Sequence, residues 1–478
     1  MTNATSGPDD LAQSELTTTS PESATGAKSF LLAKVAKGFV FLFERVMPDP
    51  FVFAIILTLV ASLLAYTLVK TTTVGEISQA WYSGIFAIFT FGFQMVLIVV
   101  TGYALASSPL VHRALERAAS WPKTPRSAIS LTIVVGMIAS WLNWGFGLVA
   151  AALLAREIAK RVRVDFGWLV AAAYTGFVIS PLGISGSIVL SQATPGSVLN
   201  LVEKTTGIVL PLSQTIFSRF TLVPVVFLLI VLPLIYRTLQ PAPEQSHFAD
   251  AEKLQTEDQG RRLTRRDHTF GDMLDNAWIL NLSLAALGAC ALVWQWSSKG
   301  GAFDLNSVII VCLLLGLVFH WRPVAYVDAV RNAARVTGGM ILQYPLYGGI
   351  MGIMTTTGLA AVISKAFLAF STSHTLPFWT YISSLVITLF IPSGGGHWAV
   401  QGPFVLPAAK ELHASLAGTT MAVAMGESVA NMIQPFFALP LLAIAGIPMR
   451  RMMGFMVITF LVALATFAVS LLVLLPRT

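Results

Sequence analysis

The sequence predicts an all-α polytopic membrane protein with an inverted-topology repeat, about nine transmembrane helices and two re-entrant hairpins with broken helices. Of its 478 residues, 55% are apolar and 11% charged, whereas soluble domains have roughly 45–50% apolar and about 25% charged residues. Many uncharged runs approach the length that spans a bilayer. Two of these runs carry a glycine-rich break, at equivalent places in the two halves. A soluble globular protein is therefore excluded.

The composition divides the chain into segments. The first 27 residues are rich in Ser, Thr, Gly and acids, which predicts a disordered tail. They lack the basic-then-apolar order of a signal peptide. The remaining predicted segments are an amphipathic interfacial segment at 28–49, a first transmembrane repeat at 50–237 with a hairpin at 127–160, a cytoplasmic polar loop at 238–276, a linking transmembrane helix at 277–297, and a second transmembrane repeat at 304–476 with a hairpin at 376–410.

Uncharged stretches give the transmembrane helices, near 51–69, 84–108, 166–190, 215–236, 277–297, 305–321, 336–358, 416–445 and 452–475. The stretches 127–155 and 376–409 are also uncharged, but Asn143–Gly147 and Pro392–Gly396 interrupt them. Glycine runs and proline end helices. We therefore predict that each stretch is a re-entrant hairpin with its tip buried in protein, and that a short helix from about 398 to 409 follows the second tip.

The basic residues test this topology. With both hairpins re-entrant, 23 of the 30 Lys and Arg residues fall on the side assigned to the cytoplasm and 7 on the other. A full crossing at 127–155 would place the basic clusters at 109–126 and 156–165 on opposite faces, against the positive-inside rule. This topology puts the N-terminus in the cytoplasm and the C-terminus outside. The net charge of +7 then reflects topology rather than nucleic-acid binding.

The two halves of the chain resemble each other. Adding 249 to a residue number matches Gln94 with Gln343, Ile133 with Ile382, Gly145 with Gly394, Gly147 with Gly396, Ala150 with Ala399 and Ala159 with Ala408. These identities are weak evidence in apolar sequence, but the coincidence of the two broken tips is stronger. Since the first hairpin enters from the cytoplasm and the second from outside, the repeat is inverted, as in many secondary transporters.

The second tip has the chemistry of an anion site. Ser393, Gly394, Gly395 and Gly396 would expose backbone N–H groups just before a helix, and His397 adds a cationic or hydrogen-bonding partner. Close helix packing through small residues is the alternative for the glycines. A structural hydrogen bond is the alternative for the histidine.

One acid stands alone in the apolar second half. Glu427 is the only Asp, Glu, Lys or Arg between 412 and 449. A charge at the bilayer centre costs at least ~2.5 kcal/mol, so this carboxyl is protonated, paired or in a wet cavity. Asn431 and Gln434 share its helical face if the helix continues that far, and a structural polar network is the alternative. The first half offers no acid at the corresponding place, but Tyr174, Thr175, Ser180, Ser185 and Ser187.

Aromatic residues are frequent around both tips: Trp144, Phe146, Trp398, Phe404, Phe436 and Phe437. Packing is the plain interpretation of these rings. Beside an anion site, some of them would instead wall a small apolar pocket for a short acyl tail.

Several motifs resemble the bacterial short-chain fatty acid transporter family (AtoE-like), within the wider ion transporter superfamily. They are Pro392–Ala409, Asn143–Leu148, Met47–Pro50, Thr101–Ser108 and Gln434–Pro440, and the likeness runs from about residue 30 to the C-terminus. The resemblance implies uptake of monocarboxylates such as acetoacetate or butyrate across the bacterial inner membrane. Sodium-binding members of the superfamily carry Ser-Asn-Thr at their hairpin tips, whereas this chain has Asn143-Trp-Gly and Ser393-Gly-Gly, so sodium coupling does not carry over.

We therefore expect a secondary active carrier that couples a short-chain monocarboxylate to protons by alternating access. The alternatives are a sodium-coupled symporter, an anion channel and, least favoured, a membrane-embedded hydrolase with Ser393 or Ser187 as nucleophile. No cofactor, metal or nucleic acid is expected, and a homodimer is left open. The predicted substrate-binding residues are Ser393, Gly394, Gly395, Gly396, His397, Asn143, Trp144, Gly145, Gln401, Ser185 and Ser187, and the predicted coupling residues are Glu427, Asn431 and Gln434.

Overall fold

The computed structural model describes residues 50–241, 246–250, 254, 269–298, 304–391, 393–434 and 436–476. The predicted tail, the predicted interfacial segment and most of the predicted polar loop lie outside these residues. Within the described ranges the chain forms helices and no β-strand. The all-helical class predicted from the sequence is therefore confirmed for the part of the chain that is described.

The described residues of the first half, 50–241, form ten α-helices. They are α1 (Pro50–Leu68), α2 (Val74–Ala87), α3 (Phe89–Ala106), α4 (Pro109–Ala118), α5 (Pro125–Leu142), α6 (Trp144–Ala159), α7 (Phe166–Thr175), α8 (Ser187–Ala193), α9 (Leu201–Thr206) and α10 (Arg219–Thr238). A 3-10 segment at Gly176–Leu182 follows α7 directly and contains Pro181.

The second half follows two linking helices. The linkers are α11 (Phe270–Asp275) and α12 (Trp278–Ser298). The remaining helices are α13 (Leu305–His320), α14 (Pro323–Ala334), α15 (Gly338–Thr356), α16 (Leu359–Phe370), α17 (Leu376–Phe390), α18 (Gly394–Glu411), α19 (Leu416–Ala430), α20 (Ala438–Ala445) and α21 (Met453–Val473).

Six helical segments of the described residues are long and apolar enough to cross a membrane, and a seventh is added if the bent pair of α15 and α16 counts as one span. The predicted number of about nine spans therefore stays a prediction. The protein nevertheless has the multi-pass character that its composition indicated. Helix α12 is almost wholly exposed, since only 11% of its most apolar stretch is buried. This exposure suits a helix that faces lipid.

One predicted span begins too late. The sequence placed a helix near 84–108, but the helical segment starts at Val74 and continues through a break at Ile88. Thr73 and Glu76 form a capping box, in which each side chain accepts a hydrogen bond from the other's backbone N–H. Glu76 therefore lies in the first turn of the helix, where acids are favourable.

The helix boundaries of the two halves correspond at the offset of 249. Adding 249 to the first residues of α2 and α3 gives the first residues of α14 and α15, and the starts of α4 to α8 match those of α16 to α20 within two residues. The contacts correspond as well. Helix α1 contacts α15 as α13 contacts α3, α2 contacts α15 as α14 contacts α3, and α6 contacts α20 as α18 contacts α8.

Glycines allow the two halves to pack closely. A Cβ atom on Gly84 of α2 would lie 2.2 Å from the Gly348 carbonyl oxygen, and one on Gly352 of α15 would lie 2.2 Å from the Ala80 carbonyl oxygen. Residue numbers rise on one helix as they fall on the other, so α2 and α15 are antiparallel. Such contacts between small residues bring helix backbones together in membranes, where lipid removes the usual hydrophobic drive for association.

We expect Gly84→Ala to destabilise the protein, because its methyl group would overlap the backbone of α15. Overpacking of this kind costs typically 1–3 kcal/mol, so the melting temperature of the detergent-purified protein should fall. Gly75→Ala is the matched control in the same helix, since its Cβ atom would meet nothing closer than 3.9 Å. Equal melting temperatures for the two variants would contradict the packing role of Gly84.

The predicted hairpins are antiparallel helix pairs. Helices α5 and α6 are separated by Asn143 alone, and a Cβ on Gly147 would meet Ser140 of the other arm at 2.2 Å. In the second pair, the Gln401 side chain of α18 donates to the Thr380 carbonyl of α17 at 3.0 Å. Both pairs turn where the sequence predicted. Their entry into and exit from one face of the membrane stays a prediction.

The predicted helix at about 398–409 is wrong in its start. Helix α18 begins at Gly394, so the three glycines form its first turn instead of a loop. Ser393 caps this turn by accepting a hydrogen bond from the Gly396 amide at 3.4 Å. Asn143 caps α6 in the same way, accepting from the Phe146 amide at 2.9 Å. A capping residue therefore begins the second helix of each pair, and the glycines after it remain helical.

Candidate functional site

A small cavity lies between the two helix pairs and the broken segments that follow them. Its volume is about 30 Å³, room for about two water molecules. Its polar lining consists of Ser180, Ser187, Gln343, Tyr344, Tyr347, Ser393 and Glu427. Its remaining lining consists of Met95, Trp144, Phe177, Pro181, Gly186, Met340, Gly394, Phe436 and Phe437.

Helix N-termini converge on this cavity from both halves. Trp144 is the first residue of α6, Gly394 the first residue of α18, and Phe437 the residue that caps α20. All three line the cavity. Helix N-termini carry unpaired N–H groups and about half a positive charge each. The cavity is thus an electropositive environment built by the backbone, which suits an anion.

The tip of α18 presents free donors to this cavity. Among the described residues, the Gly394 and Gly395 amides donate no hydrogen bond. A Cβ atom on Gly394 would lie 2.5 Å from the Ser187 hydroxyl and 2.8 and 2.9 Å from the two Glu427 carboxylate oxygens. Only glycine fits here. The N-terminus of α18 therefore touches both a carboxyl group and a hydroxyl group from α19 and α8.

Glu427 is buried, with 5% of its surface exposed, and lines the cavity. In the described part of the chain its carboxyl makes no ion pair, and the Asn431 side chain lies beside it. The Tyr344 phenol lies beside it and beside Ser393. The carboxyl thus faces the α18 N-terminus without a basic partner. Its negative charge is compensated by the helix dipole and by any group that enters the cavity.

The other two predicted coupling residues lie beyond the end of α19. That helix stops at Ala430 and Asn431 is its C-cap, so the helix does not continue to Gln434 and the condition for a shared helical face is not met. Gln434 instead donates to the Asn431 side-chain oxygen at 3.3 Å, and the Asn431 carbonyl accepts from the Tyr174 hydroxyl at 2.8 Å. The Asn431 amide nitrogen is buried without a hydrogen-bond partner. Neither residue lines the cavity.

His397 and Gln401 lie inside the second helix pair, outside the cavity lining. The histidine Nε2 bonds the Gln401 side-chain oxygen Oε1, and its Nδ1 lies 3.1 Å from the Thr388 hydroxyl. Gln401 also donates to the Ser383 hydroxyl at 2.9 Å. Both side chains are fully buried. They tie α17 to α18, directly behind the tip that carries Gly394.

The first tip is hydrogen-bonded where the second is free. The Trp144 amide donates to the Ser185 hydroxyl at 2.8 Å, so one N-terminal donor of α6 is satisfied by its own half. The Asn143 side chain also approaches the Cys312 sulfur at 3.5 Å. Gly145 packs against Val99 of α3. Of the predicted first-half residues, Trp144 and Ser187 line the cavity, whereas Asn143, Gly145 and Ser185 support its wall.

Aromatic rings form one wall of the cavity. Phe437 packs edge-on against Trp144 with ring centres 5.6 Å apart, and lies 5.2 Å from Phe177 and 5.3 Å from Phe436. Of these four rings, the sequence did not single out Phe177. It also missed Tyr344 and Met340, which lie on α15 in an ordinary apolar run. Only the pairing of Gln94 with Gln343 pointed toward that helix.

One group of described residues has metal-ligand geometry: His112, Glu116 and Glu157, whose ligand atoms lie within 4.8 Å of one another. It joins α4 to the C-terminal end of α6, far along the helix from the tip at Asn143. Glu157 already pairs with Lys160, and lies 3.5 Å from Arg161. The group is therefore a charged network at the end of α6 rather than part of the cavity.

The fold is similar to a solved transporter structure. The crystal structure of the Alcanivorax borkumensis YdaH transporter, described as having an unusual topology, superposes with a TM-score of 0.55. The match covers 89% of this chain and 97% of that one, at 14% sequence identity. This likeness shows a shared fold, and the described residues have the multi-pass, all-helical architecture of a membrane protein.

The sequence comparisons are more specific. The family model described as short chain fatty acid transporter matches residues 31–475. A protein of Escherichia coli (strain K12) whose name places it among short-chain fatty acid transporters is 39% identical over 442 residues, 92% of this chain and 99% of its own. One from Haemophilus influenzae with the same name is 36% identical over 445 residues, again 92% and 99%. This chain belongs to the short-chain fatty acid transporter family, as its motifs predicted.

Family membership also decides between transporter and enzyme. The relatives are transporters by name, so the hydrolase alternative is wrong. The geometry agrees, because His397 bonds Thr388 and Gln401 rather than Ser393, and a serine nucleophile needs a base within hydrogen-bonding reach.

Proposed function

We propose that the protein is a secondary active transporter that carries short-chain fatty acids, of the acetoacetate or butyrate type, with protons across the bacterial inner membrane. The observation that carries this proposal is the convergence of helix N-termini on a cavity with one carboxyl group and one aromatic wall. Such a cavity offers both backbone N–H donors and an apolar aromatic surface. A short carboxylic acid has a carboxylate for the first and a hydrocarbon chain for the second.

The substrate carboxylate would bind at the tip of α18. The free Gly394 and Gly395 amides supply the donors, and the Ser393 and Ser187 hydroxyls flank them. Gly396 completes the first helical turn by bonding the Ser393 side chain. In this role the backbone recognises the charge, and glycine leaves it room.

Glu427 explains why a proton would travel with the substrate. Its carboxylate oxygens lie against Gly394, where the substrate carboxylate would bind. Two carboxylates that share one site cannot both stay ionised, because like charges at short range disfavour the charged form. Substrate binding therefore requires a proton on Glu427, and release of the substrate frees that proton. Asn431, held by Gln434, would steady the carboxyl from the other side.

The remaining predicted site residues would act by positioning. His397 and Gln401 hold α17 against α18 and so fix the orientation of the tip. Asn143 and Ser185 fix the first tip, which presents Trp144 to the cavity, and Gly145 allows α3 to approach it. Their substitution would change the affinity for substrate through the geometry of the tips rather than through lost contacts with it.

An inverted repeat would supply the alternating access. The equivalent helices α3 and α15 run antiparallel, since α2 continues into α3 and packs antiparallel to α15. The Ser428 hydroxyl also bonds the Val178 carbonyl, and Tyr174 bonds Asn431, which makes the equivalent α7 and α19 segments antiparallel too. These pairings support a two-fold axis in the membrane plane, with the basic residues toward the cytoplasm. The small volume of the cavity favours a carrier over a channel.

Uptake of labelled butyrate into proteoliposomes tests the proposal. Undissociated butyric acid crosses lipid unaided, so the transporter's share is the saturable part above protein-free liposomes. We expect an inward pH gradient without sodium to drive this share, and unlabelled butyrate inside to drive counterflow. Saturable uptake that follows a sodium gradient but ignores the pH gradient would replace proton with sodium coupling. Uptake without counterflow would indicate a channel, and no saturable uptake would refute the function.

A further inference from the structure

Phe437 is the central ring of the aromatic wall. It contacts Trp144, Phe177 and Phe436, with ring centres 5.6, 5.2 and 5.3 Å away. Among these four rings, Phe437 alone contacts the other three. Its side chain is 9% exposed and borders the cavity. Phe437 is therefore the centre of an apolar wall in the same cavity whose lining includes Gly394.

The ring is held in place by the helix that it starts. Phe437 caps α20, an eight-residue helix that packs on α6. At the other end of α20, the buried Arg156 side chain of α6 donates to the Ile444 carbonyl at 2.9 Å. Contacts at both ends thus fix α20 beside α6, because Phe437 also contacts Trp144, which is the first residue of α6. Packing at both ends of α20 thus sets the position of Phe437 in the wall.

We propose that this wall receives the hydrocarbon chain of the substrate and that Phe437 sets the longest chain the transporter accepts. This inference rests on the proposed function, because it assumes that the carboxylate binds at the α18 tip. With the acid end fixed by Gly394, each further methylene extends toward Phe437. The length of the acid that binds is thus limited by the space between the backbone donor and the Phe437 ring.

Burial and overpacking have opposite effects on the affinity for a longer acid. A methylene that finds apolar contact gains about fourfold in affinity from burial. A methylene that meets a packed wall instead forces rearrangement, which overpacking makes costly. Wild-type affinity should therefore rise with chain length and then fall sharply. Removing the ring should move the fall in affinity to longer acids, because the hydrocarbon chain can occupy the space that the ring leaves. The affinity for longer acids then continues to rise.

The test compares binding of butyrate and hexanoate to purified wild type, Phe437→Ala and Phe437→Leu. Dissociation constants follow from the rise of melting temperature with acid concentration, which requires no transport. For Phe437→Ala we expect hexanoate affinity relative to butyrate to increase about 15-fold, from two methylenes at about fourfold each. Phe437→Leu, which keeps an apolar core side chain, should give a smaller change in the same direction.

Phe455→Ala is the matched control, since Phe455 packs edge-on against Trp168 with ring centres 4.7 Å apart and does not line the cavity. Its relative affinities should equal those of wild type. Relative affinities within twofold of wild type in both Phe437 variants would overturn the inference. The proposed function would survive that result if wild type still bound and counterflowed butyrate, and would fail separately if wild type bound neither acid.

Discussion

Glu427→Gln should abolish butyrate accumulation driven by a pH gradient while preserving counterflow exchange. Glutamine resembles the protonated acid in shape and charge, so the substrate carboxylate still finds its place beside Gly394. It cannot release a proton, however, and transport no longer responds to the gradient. One pH unit is worth a factor of about ten in accumulation for one coupled proton. The saturable accumulation of the variant above that of protein-free liposomes, which butyric acid enters unaided, should therefore disappear. The measurement is labelled butyrate in proteoliposomes with and without the gradient.

Glu411→Gln provides the matched control. Glu411 is an exposed acid at the C-terminal end of α18, away from the cavity. Its accumulation ratio should equal that of wild type. Preserved counterflow in Glu427→Gln shows that the variant is folded and binds substrate. Wild-type accumulation in Glu427→Gln would remove this carboxyl from the coupling mechanism, whichever ion drives transport.

Gly394→Ala should nearly eliminate transport. Its methyl group would lie 2.5 Å from the Ser187 hydroxyl and under 3 Å from both Glu427 carboxylate oxygens. These atoms must move away from the α18 tip, and the added carbon covers the amides proposed to bind the substrate. Overpacking of this kind costs typically 1–3 kcal/mol, or roughly 5- to 150-fold in affinity. Saturable counterflow at fixed butyrate concentration measures the loss.

Gly339→Ala is the corresponding control on α15. Its Cβ atom would lie near the cavity but only in ordinary contact, 3.7 Å from the Gln343 side chain and 3.8 Å from Phe436. We expect counterflow close to wild type for this variant. Equal activity of Gly394→Ala and Gly339→Ala would mean that substrate does not approach the α18 tip.

Much of the architecture was predictable because hydropathy and helix length are coupled in a membrane protein. The uncharged runs located the helices, and the two glycine-rich breaks located the turns at Asn143 and Ser393. The breaks were misjudged in extent. Glycine weakens a helix interior, but the Ser393 cap and the contacts behind Gly394 outweigh that weakness. Tertiary packing thus determined where α18 begins.

The candidate site was predictable only in part. Glu427 was found because it is isolated in an apolar run, and Ser187 and Trp144 because they adjoin breaks. His397 was assigned to the substrate for its chemistry, yet its partners Thr388 and Gln401 lie inside the second helix pair. No periodicity in one chain distinguishes a polar residue that faces a cavity from one that faces a neighbouring helix. Tyr344 and Phe177 were missed for the same reason.

The glycine contact between α2 and α15 has a consequence for how the protein is made. Gly84 and Gly348 touch across the two halves, although about 264 residues of chain separate them. At roughly 5–20 residues per second of synthesis, Gly84 of α2 is made roughly 13–53 s before Gly348 of α15. During that interval α2 lies in the membrane with its small-residue face exposed to lipid or to other proteins of the insertion machinery. The contact between the two halves therefore forms only after almost three-quarters of the 478 residues have been synthesised.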